Sequence, residues 1–109
     1  MGYIDAPELI RSRATDTSEP QHKRPPLYRV VMLNDDFTPM DFVVMLLMRF
    51  FHKSEEQAQA LMLQVHQQGR AVCGVFPKDI AETKVQQVAM ASRSDGHPLR
   101  CMIERDGDD

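Results

Sequence analysis

Apolar and polar positions change their spacing several times along the chain, and each change marks an element. Leu27 to Leu33 (Leu-Tyr-Arg-Val-Val-Met-Leu) is short, apolar and partly β-branched, flanked by Pro26 and Asn34-Asp35. That pattern predicts a strand. Asn34, Asp35 and Asp36 break it, because short polar side chains bond their own backbone and favour turns. Thr38, Pro39 and Asp41 then read as a helix start: a hydroxyl cap, proline at the first helical position and an acid in the first turn. The helix expected from about Pro39 to His52 is apolar almost all round, with only Asp41, Arg49 and His52 clearly polar. Such a helix is buried on most sides or offers an apolar patch to a ligand.

Ser54-Glu55-Glu56-Gln57 is a capping box for a second helix. Ala58, Leu61, Met62 and Val65 fall on one face of it, His66 stands beside that stripe, and Gly69 is the expected left-handed stop. Arg70 to Phe76 reads as a second strand with Ala71, Cys73 and Val75 pointing inward. Pro77 opens a third helix, whose inner face is Ala81, Val85, Val88 and Ser92 and which ends at Asp95-Gly96-His97-Pro98. Leu99, Cys101 and Ile103 alternate with Arg100, Met102 and Glu104, giving a third strand. The order β-α-α-β-α-β predicts an α+β fold in two layers, a three-stranded antiparallel sheet covered on one face by three helices. The first strand is expected in the middle, antiparallel to both others, with a right-handed crossover joining the second strand to the third.

The domain expected from this reading runs over residues 27–105, preceded by a flexible tail over 1–26 and followed by a frayed acidic end over 106–109. At 109 residues the chain is long enough for one core without metal or disulfide staples. A net charge of −3 argues against nucleic acid, which calls for a basic footprint. No apolar run approaches the roughly 20 residues that span a bilayer, and the first residues lack the apolar core of a secretory signal. The expected location is therefore the cytoplasm. The two cysteines, Cys73 and Cys101, lack zinc-site spacing and fall in strand patterns, which points to reduced core thiols. On the two edge strands they would stand about 9–10 Å apart, beyond disulfide reach.

The loop Asn34-Asp35-Asp36 is the cluster with chemistry in it. Three such residues are ordinary turn formers, but this turn opens onto an apolar helix that includes Met40 and Val43. A helical hairpin would bring His66 to the same mouth. The asparagine carbonyl, the carboxylates and a neutral imidazole are all acceptors. A net-negative set of acceptors beside an apolar pocket suits an ammonium group attached to a bulky side chain, which is the first residue of a peptide with a free amino terminus. Other chemistries fit less well. A calcium loop needs acids at fixed spacing with a glutamate at its twelfth position. A zinc site needs further ligands, and His22, His52 and His97 lie in separate segments. A hydrolase needs a nucleophile in an exposed turn, and no such motif is present. The reading is thus a non-enzymatic binding protein without metal or cofactor.

Val31-Met32-Leu33-Asn34-Asp35-Asp36-Phe37-Thr38-Pro39-Met40, Leu63-Gln64-Val65-His66-Gln67-Gln68-Gly69 and Cys73-Gly74-Val75-Phe76, followed by Ala81-Glu82-Thr83-Lys84, are similar to the ClpS family over about Pro25 to Glu104. These are adaptors that deliver N-end-rule substrates to the AAA+ protease ClpAP. The resemblance implies that Asn34 and His66 bond the α-ammonium group of an N-degron, with Asp35 and Asp36 shaping the acidic mouth. Thr38, Met40, Val43, Met62, Val65 and Leu99 would line the pocket for a first residue of the Leu, Phe, Tyr or Trp type. The N-terminal domain of the unfoldase ClpA would dock on a separate surface that includes Lys84 and Asp79, where relatives often carry Glu. Delivery would depend on the tail, and the protein would act as a monomer. Taken alone, Asp79 and Lys84 are ordinary solvated helix charges. A different class, an assembly module resembling the C-terminal domain of the ribosomal stalk protein, is the competing reading of the same fold.

Overall fold

The computed structural model describes residues 24–107. The expected tail therefore lies outside the described residues except for residues 24–26, as does the end of the chain beyond 107. Three strands, β1 (Leu27–Leu33), β2 (Arg70–Pro77) and β3 (Arg100–Arg105), and three helices, α1 (Met40–Phe51), α2 (Glu55–Gln68) and α3 (Lys78–Ser94), follow in the order β1-α1-α2-β2-α3-β3. The sheet order is β2-β1-β3. Both pairings are antiparallel, with Leu33 opposite Arg70 on one side and opposite Arg100 on the other. The central strand, the layer order and the antiparallel sense are those the sequence pattern predicts.

The core lies between the sheet and the helices. Val30 and Met32 from β1, Ala71 and Cys73 from β2 and Cys101 from β3 pack with Phe42, Leu46, Leu47, Ala58, Val65, Ala81 and Val88. Ser54 caps α2 as expected: its hydroxyl accepts from the Gln57 N–H, and the Gln57 side chain accepts from the Ser54 N–H. Gly69 closes the same helix at φ 89°, a conformation that glycine adopts without a Cβ clash. At the end of α1 the left-handed residue is His52, at φ 56°. There Lys84 reaches across from α3 and donates to the Phe50 carbonyl at 2.8 Å, satisfying one of the carbonyls a helix end leaves over.

Three local expectations are corrected. Thr38 does not cap α1; Pro39 holds the cap position with extended backbone and no side-chain bond, and the helix starts one residue later than predicted. The Thr38 hydroxyl donates instead to Asp35. Val75 points outward, half exposed, while Phe76 packs on the core. The cause is a bulge: Val30 faces Gly74 but Val31 faces Val72, so Cys73 is an extra residue and the inside-outside alternation of β2 reverses after it. Lys84, finally, is no free surface charge, since it bonds the Phe50 carbonyl and stands 5.7 Å from the Phe76 ring centroid.

Cys73 and Cys101 are both free thiols buried on the edge strands, with β1 between them. Burial pushes the Cys73 thiol up to about 12 and raises that of Cys101 as well. Neither is therefore poised as a thiolate near neutral pH.

Candidate functional site

The loop after β1 is tied to the end of α2 by a backbone bond. The Asn34 N–H donates to the Gly69 carbonyl at 2.9 Å, and the Gly69 N–H donates in turn to the Val65 carbonyl at 2.9 Å. One glycine thus ends the helix and holds the acidic loop against it. His66, in the last turn of α2, is brought to the loop by this arrangement. The helical hairpin of α1 and α2 completes the enclosure.

Inside the loop the polar groups fasten one another. One oxygen of Asp35, Oδ2, accepts from the Phe37 N–H at 3.1 Å and from the Thr38 hydroxyl at 2.7 Å. The Thr38 N–H also donates to the Asp35 carbonyl at 3.3 Å, closing the turn. The Asn34 side-chain amide donates to Asp36 Oδ1 at 3.0 Å. That bond commits the NH₂ group of Asn34 and leaves its carbonyl oxygen available to accept.

These elements surround a cavity of about 430 Å³ lined by Asn34, Asp35, Asp36, Thr38, Pro39, Met40, Val43, Met62, Val65, His66 and Leu99. The volume suits one small ligand or side chain. All four residues expected at the mouth and all six expected in the pocket wall are brought together there. Pro39 is the addition; its sequence signal was spent on the helix start, and its place in the wall depends on the sharp turn before Met40. The mouth is made of Asn34, Asp36 and His66, all exposed, and half-buried Asp35. The wall behind it is apolar and closed: Val43, Met62, Val65 and Leu99 are all under 9 % exposed. Met40 is different. It is 47 % exposed, which places it on the rim rather than in the core. Among the described residues no lysine or arginine lines the cavity, and neither Asp35 nor Asp36 forms an ion pair.

Asp79 and Lys84 do not line this cavity. Asp79 is exposed in the first turn of α3, where its carboxylate accepts from the Ile80 N–H at 2.9 Å. Among the described residues no three His, Cys, Asp or Glu side chains converge as metal ligands, and no helix is long and apolar enough to cross a membrane.

Comparison with known proteins bears on the site. The family model for the ATP-dependent Clp protease adaptor protein ClpS matches residues 23–102. The chain is 55% identical over 89 residues to the ATP-dependent Clp protease adapter protein ClpS of Aromatoleum aromaticum, covering 82% of this chain and 87% of that one. It is 58% identical over 91 residues to the protein of the same description from Methylococcus capsulatus, covering 84% and 86%. Among solved structures, that of Agrobacterium tumefaciens ClpS2 bound to L-phenylalaninamide superposes with a TM-score of 0.74 at 40% identity, covering 76% of this chain and all of that one. With a model match over most of its length and relatives at this identity, the chain belongs to the ClpS family of Clp protease adaptors.

Proposed function

We propose that the cavity receives the first residue of a polypeptide with a free α-amino group, and that the protein hands such chains to the AAA+ unfoldase ClpA of the ClpAP protease. The observation that carries this reading is the pairing of a mouth built of acceptors with a closed apolar wall, in a cavity that no lysine or arginine of the described residues lines. An α-ammonium group supplies the missing positive charge and three donors. Asn34, Asp36 and neutral His66 accept them. The side chain of a Leu, Phe, Tyr or Trp first residue fills the space bounded by Thr38, Met40, Val43, Met62, Val65 and Leu99. L-phenylalaninamide, the ligand held by the similar Agrobacterium protein, has the same two features, a free amine and a bulky apolar side chain.

The magnitudes are consistent. Burying one Leu or Phe side chain contributes roughly 1.5–3 kcal/mol. Two or three hydrogen bonds to a charged group add roughly 1.5–3 kcal/mol each, less where water competes. Association entropy removes several kcal/mol. A dissociation constant near micromolar, about −8 kcal/mol, results. Binding of that strength allows release of the cargo, and it requires no catalytic group. Thr38, Asp35 and His66 act in this account as wall, turn and acceptor, not as a nucleophile with its base.

The test is a set of peptides differing only in the first residue. Leu-, Phe-, Tyr- and Trp-initiated peptides should bind near the micromolar range, and Ala-, Glu- and Lys-initiated ones at least about tenfold more weakly, since they forgo most of the apolar burial. Equal binding across the set would contradict the reading. Delivery is tested separately, by degradation of a Leu-initiated reporter by ClpAP. It should accelerate with the full chain and fail with a chain lacking residues 1–24, although that chain binds peptide normally. Docking on ClpA is assigned to a surface that includes Asp79 and Lys84, and Asp79→Ala should weaken capture by ClpA without altering peptide affinity.

A further inference from the structure

We infer that the outer face of the sheet is a docking surface for residues 3–10 of the same chain. Side chains alternate across a strand. Val30 and Met32 of β1 face the core, so Arg29, Val31 and Leu33 face the other way. In register with them on that outer face are Val72 and Met102 beside Val31, Arg70 and Arg100 beside Leu33, and Val75 and Glu104 beside Arg29. None of these belongs to the cluster that packs against the helices. Val72, Val75 and Met102 are 37 %, 42 % and 38 % exposed. Several apolar side chains gathered on one exposed face mark an interaction surface. The face is also basic. Arg70 pairs with Glu104, and Arg29 with Glu104 and Asp106, which sets two arginines against two carboxylates. Among the described residues Arg100 forms no ion pair. A basic, apolar face on a chain of net charge −3 favours an occupant that is acidic and apolar.

One stretch of this chain has that character. Tyr3, Ile4, Leu9 and Ile10 are large and apolar, Asp5 and Glu8 are acids, and no lysine, arginine or histidine falls within 3–10. Residues 11–26 join the stretch to β1 and can span more than about 50 Å. The seven residues of β1 measure about 23 Å. The whole outer face is therefore within reach of a segment tethered at the start of the central strand. Tethering gives an effective concentration on the order of millimolar, so modest contacts suffice. The apolar side chains cover Val72, Val75 and Met102, and the acids face the arginines. This holds whatever the cavity binds.

The test is paramagnetic relaxation in the full chain, with a nitroxide on Ala6→Cys. Both native thiols are buried, so the label goes to the introduced one. Amide signals of Val72, Val75 and Met102 should broaden at least about threefold more than those of Glu56 and Gln59 on α2, because the tethered segment concentrates on one face. Ile4→Ser combined with Leu9→Ser should abolish that difference. Arg100→Glu should reduce it at least about twofold, since like charges then meet. Adding Asp5→Arg and Glu8→Arg to Arg100→Glu should restore it. Broadening that is even over the fold, or strongest on the helices, would overturn the docking. So would a difference left unchanged by the serine pair or by Arg100→Glu. A nitroxide-labelled chain mixed with an isotope-labelled chain reports contact between molecules. Broadening there as strong as within one molecule would assign the face to a second copy and refute docking within the chain. Should Arg100→Glu fail to fold, the serine pair, which changes no residue of the described fold, decides alone.

Discussion

Glu104, on the sheet face away from the helices, is held by Arg70 at 2.9 Å and by Arg29 at 3.1 Å, and Arg29 also reaches Asp106 at 3.3 Å. At the cavity mouth, among the described residues, Asp35 and Asp36 have only Asn34, Thr38 and backbone as partners. Both regions gather acids on the surface, but among the described residues only the first brings its own cations. The sheet cluster neutralises itself and works on the fold. Arg70 is in register with Leu33 and Glu104 with Arg29, so the bridge between them crosses the position of Val31. That position is fully buried, outside the cluster that packs against the helices. The mouth leaves its charge unbalanced and backs it with apolar wall. The lesson is that a cluster of acids points to a ligand when the protein withholds the counter-charge, and to architecture when it supplies one.

The largest effect should come from supplying the missing cation at the mouth. Asp36→Lys removes an acceptor and places a positive charge where the ammonium belongs. We expect peptide affinity to fall more than about a hundredfold, the sum of one lost charged hydrogen bond and added repulsion. Isothermal titration with a Leu-peptide measures it. Retained binding would mean that the mouth does not read positive charge.

Next is the rim. Met40 is too exposed to serve as core filler, so Met40→Ala should cost less stability than the about 2–5 kcal/mol of a buried methionine. Its effect should fall on selectivity. Ile and Val are branched at Cβ and stiff about χ1, so a rim side chain excludes them by clash. Met40→Ala should raise the affinity of Ile- and Val-initiated peptides about tenfold while weakening Leu somewhat. An unchanged ranking of first residues would remove Met40 from the rim's selectivity.

His66→Ala should cost about tenfold, one hydrogen bond to a charged donor, with little change in thermal stability because the side chain is exposed. Isothermal titration with a Leu-peptide measures it, and unchanged affinity in the variant would exclude His66 as an acceptor.

The smallest effect should come from Glu104→Gln. Hydrogen bonds from Arg70 and then Arg29 hold the Glu104 carboxyl below its usual range. A depressed value in the folded state means that the contribution is present above the unfolded value of about 4.3 and is lost as pH falls through the folded one. Thermal melts of the variant should show a small loss near neutral pH that vanishes under acid, with peptide affinity unchanged. A change in affinity would show that the two regions are coupled.

Much of this was legible in the sequence, for reasons that differ by residue. The order of elements followed from where apolar alternation stops and turn residues begin, and the strand order from the simplest way to close that β-α-α-β-α-β chain into two layers. The acidic loop and His66 stood out because all are acceptors beside an apolar helix. Which apolar residues close the pocket is a matter of tertiary packing. Thr38, Met62, Val65 and Leu99 could be assigned from the family resemblance but not from periodicity, since Met62 and Val65 share the same helical stripe as ordinary core. The reversal of β2 at Cys73 was hidden because one extra residue leaves no mark in a run of apolar side chains. Thr38 looked like a cap because hydroxyls before a proline commonly are; the competing acceptor, Asp35, sits three residues earlier and decides otherwise. Lys84 looked solvated because its acceptor, the Phe50 carbonyl, is 34 residues away.

The measurement that bears most directly on the central claim compares one Leu-initiated peptide with its α-acetylated twin, titrated into the full-length protein. Acetylation removes the charge and the ammonium donors while leaving the leucine side chain intact. If an unbalanced mouth reads the amino terminus, affinity should fall by at least about 2 kcal/mol, roughly thirtyfold. Equal affinity for the two peptides would contradict the account, because the apolar wall alone would then explain all the binding.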